Sequence, residues 1–296
     1  MIDRRYFIGM SAAAALSPRS VLSAEEGAAG GSVGALKVRF LGTGGWTPKK
    51  VVPNADGEIR RFSSILVDGR TLVDYTARNV ETLPDGCRPE AVFYTHSHPD
   101  HFNANAAIAL GVKRVWCHES WVKAAREMFA SAAKGRALPE VNGIAFGQKV
   151  EEDGVSFTSL PANHTARMEE RCSIYLLEKG ATRLLYATDT GGIPGEAIRL
   201  AGLQGNVERP LTALIMEATA GPGYEDRADI FFTHSSAALV GRTVKALLAS
   251  KRYCPPEGRP AWITHFIRHT YPKQSEIKAR LPEGLEAAYD GLEIMV

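Results

Sequence analysis

The sequence predicts an α/β protein, and three observations carry that expectation. Short apolar runs of strand character alternate with stretches of helical spacing along most of the chain. No internal repeat or second domain interrupts the pattern. One of the runs, Ala91-Val92-Phe93-Tyr94, delivers the loop His96-Ser97-His98-Pro99-Asp100-His101, where three imidazoles and one carboxylate crowd together.

Taken in order, Leu36 to Leu41 alternates like a first strand and runs into the tight turn Gly42-Thr43-Gly44-Gly45. A glycine loop can cradle phosphate, but Trp46-Thr47-Pro48-Lys49-Lys50 does not open a helix, so no nucleotide P-loop is expected. The polar, proline-containing stretch on to Arg61 is expected to form a mobile loop near the mouth of a pocket. Phe62 to Val67 and Thr71 to Asp74, separated by Asp68-Gly69-Arg70, read as a hairpin. After the histidine loop, Asn103 to Leu110 and Glu119 to Ala133 show helical spacing, with Arg114 to Cys117 a strand between them. Residues 141–217 hold short strands punctuated by turns such as Asp153-Gly154 and Lys179-Gly180. Ala237 to Leu248 is the clearest late helix, and Ile277 to Leu281 is a short terminal one.

The N-terminus reads as a targeting segment. Asp3-Arg4-Arg5-Tyr6-Phe7-Ile8 precedes a short alanine-rich run to Leu16, and Val21-Leu22-Ser23-Ala24 offers small residues for processing. Paired arginines in this setting resemble a twin-arginine export signal over residues 1–24. The expected partner is then the twin-arginine export machinery, and the expected location is outside the cytoplasm, in a periplasm. A flexible lead-in over 25–35 and a catalytic domain over 36–296 follow. The run is too short to span a bilayer, and no later segment is continuously apolar for long enough, so no stable membrane anchor is expected.

The chain has 35 Lys and Arg against 33 Asp and Glu, and three arginines and one acid lie within residues 1–24. The remainder is therefore formally neutral. Nucleic-acid binding needs a basic patch to neutralise phosphates, and the composition supports none; a small-molecule substrate is expected. Cys87, Cys117, Cys172 and Cys254 show no metal-binding pair spacing, and no specific disulfide is expected.

Imidazole and carboxylate together suit zinc or a similar divalent ion. Four ligands in one loop exceed what a single catalytic zinc with an open position requires, which points to two metals sharing a site.

The motif resembles the His-x-His-x-Asp-His signature of the metallo-β-lactamase superfamily. That resemblance implies a four-layer αββα sandwich: two mixed sheets face to face, helices outside, and the site at one sheet edge. It also implies the remaining ligands. His164 follows the apolar stretch Val155 to Pro161, Asp189 follows Arg183 to Tyr186, and His265 ends the run Trp262-Ile263-Thr264. Carried over, His96, His98 and His164 would hold one divalent ion, while Asp100, His101 and His265 would hold the other. Asp189 would bridge them. Asp74, closing Thr71-Leu72-Val73, sits where the superfamily often keeps a carboxylate that orients a ligand imidazole.

Within the superfamily, Met216-Glu217-Ala218-Thr219 and His234-Ser235-Ser236 resemble the phosphodiesterase branch, notably tRNase Z, as do Phe40-Leu41-Gly42-Thr43-Gly44 and Arg61-Phe62-Ser63-Ser64. Ribosyl cyclic phosphodiesterases and a family linked to quinone-cofactor synthesis are similar in the same way. The likeness implies a phosphodiesterase with two zinc ions and a metal-bridging hydroxide, and the N-terminal segment implies its export. Catalysis would rest on Asp100 at the metals and on His234, steered by Glu217, as proton donor to the leaving oxygen.

Three departures argue against tRNA processing itself. Met216 replaces a histidine of the usual element, no glycine- and lysine-rich arm is present, and Tyr253 to Gly258 reads as an insertion. His269 is expected outside the pocket and His118 is expected to be structural. A zinc lactonase or other carbonyl hydrolase is the main alternative. The common zinc β-lactamases carry cysteine where Asp189 stands, which counts against that subgroup. An iron oxidoreductase on the same scaffold and a non-catalytic metal or cofactor carrier are further alternatives.

Overall fold

The computed structural model describes residues 34–46, 53, 55–167, 169–225 and 232–296. The twin-arginine segment and nearly all of the lead-in lie outside the described residues.

Two seven-stranded mixed sheets form among the described residues. The first is ordered β14 (Glu293–Met295), β1 (Lys37–Gly42), β2 (Ser64–Val67), β3 (Thr71–Val73), β4 (Ala91–Phe93), β5 (Arg114–His118) and β6 (Glu140–Ile144). The second is ordered β13 (Leu285–Ala287), β12 (Ala261–Thr264), β11 (Ala213–Glu217), β10 (Thr182–Ala187), β9 (Ser173–Lys179), β8 (Val155–Pro161) and β7 (Lys149–Glu152). In both sheets a parallel half, β3 to β6 and β10 to β13, continues an antiparallel half.

Strand alternation sorts the side chains into layers. Phe93 of β4 points between the sheets, where its ring stacks on Phe157 of β8 at 4.1 Å, alongside Phe40, Ile65, Tyr175, Leu177 and Ile215. Its neighbour Val92 points the other way, to a second core that holds α1 (Ala104–Leu110) and α2 (Val122–Ala133) through Ala107, Ala125 and Phe129. The outer face of the second sheet is covered by α3 (Gly195–Leu200) and α4 (Ala237–Ala249), with Ala197, Val240, Val244 and Leu247 packed on Leu185, Leu214 and Ile263. This is the four-layer αββα sandwich that the sequence predicts.

The hairpin β2–β3 turns at Asp68 and Gly69, both left-handed. Glu119 to Ala133 divides into a 3-10 turn and α2, and Ile277 to Leu281 contains only a 3-10 turn at Lys278–Arg280. α3, the 3-10 helix Ala77–Thr82 and the terminal strands β13 and β14 have no counterpart among the elements expected from the sequence. The end of the stretch expected to be mobile is tied down. Arg60 donates to the Tyr271 carbonyl at 2.8 Å, and the Arg61 amide donates to Asp290 at 2.7 Å. All four cysteines are free thiols. Among the described residues, no helix is long and apolar enough to cross a membrane.

Candidate metal centre

The loops that leave β3, β4, β8, β10, β11 and β12 gather at one edge of the sandwich, and each brings a residue of the site. The histidine loop is closed by its own backbone: the amides of His101 and Phe102 both donate to the His98 carbonyl, at 3.0 and 2.9 Å. Glu170 grips the loop from outside, accepting from the Ser97 amide at 2.6 Å and from the Ser97 hydroxyl. The side chains of His96, His98, Asp100 and His101 are thereby turned to a common interior.

Two clusters result. His98 Nδ1 lies 2.9 Å from His96 Nε2 and 3.3 Å from His164 Nε2. Beside them, His101 Nε2 is 3.3 Å from His265 Nε2, and Asp100 Oδ2 is 3.7 and 3.8 Å from these two nitrogens. Asp189 stands between the clusters. Its Oδ2 is 2.5 Å from His101 Nε2 and 3.3 Å from His265 Nε2, and its carboxylate also groups with His96 and His164.

The far sides of four of these rings are held. His101 Nδ1 donates to Asp74 Oδ2 at 2.7 Å, and His164 Nδ1 donates to the Thr233 carbonyl at 3.0 Å. His96 Nδ1 meets the Thr95 hydroxyl at 3.0 Å, and His265 Nδ1 meets the Thr219 hydroxyl at 2.7 Å. A ring that donates from Nδ1 presents a lone pair at Nε2, the form in which imidazole binds a metal. Burial holds His96 well below the ordinary imidazole pKa, and it lowers His98 and His164 too, so all three favour the neutral form. Burial alone would raise the Asp189 carboxyl, but His101 and His265 beside it keep it well below the usual range. Its buried Oδ2 meets only the imidazoles of His101 and His265. Burial also disfavours charge on His101, yet Asp189, Asp74 and Asp100 together raise that imidazole well above its ordinary value. Imidazole nitrogens and the buried carboxylates Asp100 and Asp189, all within reach of one another, form an environment built for cations. The residues fit divalent metal.

Asp74, Asp189 and His265 have φ of 56°, 48° and 63°, the left-handed region that Asp and His visit more readily than most residues. Asp74 is fully buried and also accepts from the Thr95 amide at 2.8 Å. Asp74→Asn should therefore lower metal affinity by about 10–100-fold, because the amide has one acceptor oxygen for both the Thr95 amide and His101 Nδ1 and carries no charge. Chelator competition on the folded variant measures this, and unchanged affinity would show that Asp74 does not orient a ligand.

Glu217, fully buried at the end of β11, accepts from the Thr190 amide at 2.5 Å and from the Thr219 hydroxyl. His234 Nδ1 is 3.1 Å from each Glu217 oxygen and 3.2 Å from Asp189 Oδ1. Burial works against a charged ring there, but Glu217 and Asp189 outweigh it and raise the pKa to about 9.

His98, Asp100, His164, Asp189 and His265 line a pocket of about 470 Å³, whose walls also include His234, Trp46, Pro99, Ile267 and His269. His269 was expected outside the pocket; the turn after β12 brings it into the wall. Gly45 carries a role that its sequence context did not reveal. A Cβ there would stand 2.9 Å from His265 Cε1 and 2.8 Å from Ile267 Cγ2, so only glycine lets the loop lie against that ring. His118 caps the 3-10 turn before α2, and its ring packs on Phe146 at 4.1 Å.

The family described as beta-lactamase superfamily domain matches residues 65–247, and the chain belongs to it. Membership places it among metal-dependent hydrolases. Solved structures share the fold. A diphosphatase of the PhnP family is 23% identical, with a TM-score of 0.63 over 88% of this chain and 97% of that one. Zn²⁺-bound PqqB from Methylobacterium extorquens is 18% identical, with a TM-score of 0.61 over 87% and 99%. The short form of human tRNase Z is 16% identical, with a TM-score of 0.60 over 87% and 98%. No curated protein sequence matches the chain.

Proposed function

We propose that this protein is a two-metal phosphodiesterase. His96, His98 and His164 would hold one ion, Asp100, His101 and His265 the other, with Asp189 shared. The imidazole and carboxylate donors favour zinc, the metal named for the PqqB structure. When bound, two such ions supply Lewis-acid charge and an activated water.

The observation that carries the reading is His234 on the pocket wall, paired from behind with buried Glu217. Glu217 keeps Nδ1 of His234 occupied, which leaves Nε2 as the nitrogen able to serve substrate. An alkoxide leaving from phosphorus is a poor leaving group and gains from protonation. His234 passes its Nε2 proton to that oxygen as the phosphorus–oxygen bond breaks, and Glu217 stabilises the imidazolium beforehand. Thr95, Thr219, Asp74 and the Thr233 carbonyl do no chemistry; they hold the ligand rings in register.

The test is a substrate panel on zinc-loaded protein, with alkyl and aryl phosphodiesters beside lactones and a β-lactam. Phosphodiester cleavage at a kcat/KM well above that for the carbonyl substrates is expected. Lactone hydrolysis with inert phosphodiesters would replace this reading with the carbonyl one.

A further inference from the structure

Trp46 is 59% exposed, although a tryptophan carries one of the largest apolar surfaces a protein can bury. It lies in the pocket wall, not on an open face, and Pro99 and Ile267 extend the apolar surface beside the ligand cluster. His269 adds a ring, steadied edge-on by Tyr224 with centroids 5.8 Å apart. Among the described residues lining the pocket there is no Lys or Arg. A second phosphate or another anionic extension reaching this wall would meet no Lys or Arg among the described lining residues.

We infer that the substrate carries a flat apolar group, an aromatic ring or ring system, on the phosphorus substituent, and that this group packs on Trp46. The inference rests on the phosphodiester reading for the identity of the electrophile, but not for the packing. An exposed indole beside an apolar cleft is ready to cover a ring face, and stacking adds to the area that such a ring removes from water. The wall thus selects the substituent, while the metal-ligand floor handles the phosphoryl group.

Binding separates the two claims. Diphenyl phosphate should bind zinc-loaded protein about 10-fold more tightly than dimethyl phosphate, with a change in tryptophan fluorescence. Trp46→Ala should abolish most of that preference, and Trp46→Phe, which keeps a ring, should retain most of it. Since Trp46 is largely exposed, both variants should melt as the parent does. Equal affinities in the parent, or a preference untouched by Trp46→Ala, would overturn the inference. Diesters that are cleaved without ring preference sink the Trp46 subsite and spare the phosphodiesterase. Tight ring-dependent binding with only lactones cleaved does the reverse.

Discussion

Asp189→Ala should leave the protein with at least one fewer bound ion per chain and with turnover lowered by 10²–10³-fold or more, the scale on which positioned charge contributes to a transition state. Asp189 reaches both clusters: Oδ2 faces His101 and His265, and the carboxylate also groups with His96 and His164. Removing it takes the one anion that groups with both clusters and leaves Asp74 and Asp100 as the only carboxylates beside His101. Asp189→Asn sharpens the test, because it keeps the shape and the tolerance for left-handed backbone while losing the charge. Elemental analysis of both variants beside the parent decides the matter. Full occupancy in Asp189→Ala would refute the bridging assignment, and loss in both would assign the effect to charge.

His234→Ala should reduce cleavage of an alkyl phosphodiester by roughly 10²–10⁴-fold, the usual weight of a positioned acid. Both ions should remain, since His234 is not among the assigned ligands. A diester with a nitrophenolate leaving group, which departs without protonation, should lose far less. Glu217→Gln should produce a milder defect of the same kind, because the amide can still meet Nδ1 but cannot stabilise the imidazolium. Equal losses on both substrates, or loss of an ion, would remove the general-acid role. Loss of an ion would also be informative, because His234 lies within reach of Asp189 and His164 as a potential ligand group.

The fold class was legible because strand alternation is a local signal and because the histidine loop selects one α/β architecture from several. The candidate site was legible for a related reason. The family resemblance points to His164, Asp189 and His265; each, like His96, follows an apolar run, and those runs are strands whose ends meet at one sheet edge. What escaped depends on distance. β14 is three residues long and pairs Met295 with Lys37 across nearly the whole chain, so no neighbouring sequence announces it. The Thr233 carbonyl that holds His164 is backbone, which carries no residue signature at all. Gly45 looked like an ordinary turn residue, since the ring it must avoid lies 220 positions later. His269, expected outside the pocket, is brought into its wall by the turn at Ile267–Tyr271.

The left-handed backbone at Asp74, Asp189 and His265 limits how such a centre could be retuned. A left-handed conformation costs most side chains about 1–2 kcal/mol, while Asn, Asp, His and Gly bear it best. Glutamate at 189 would preserve the charge, and cysteine at 265 would offer a softer donor, but each would strain the main chain that presents it. His96, His98, Asp100, His101 and His164 sit on ordinary backbone and carry no such restriction. Changes of metal preference are therefore channelled toward the histidine loop and His164, while the three strand-end positions remain with the few residue types their dihedral angles admit.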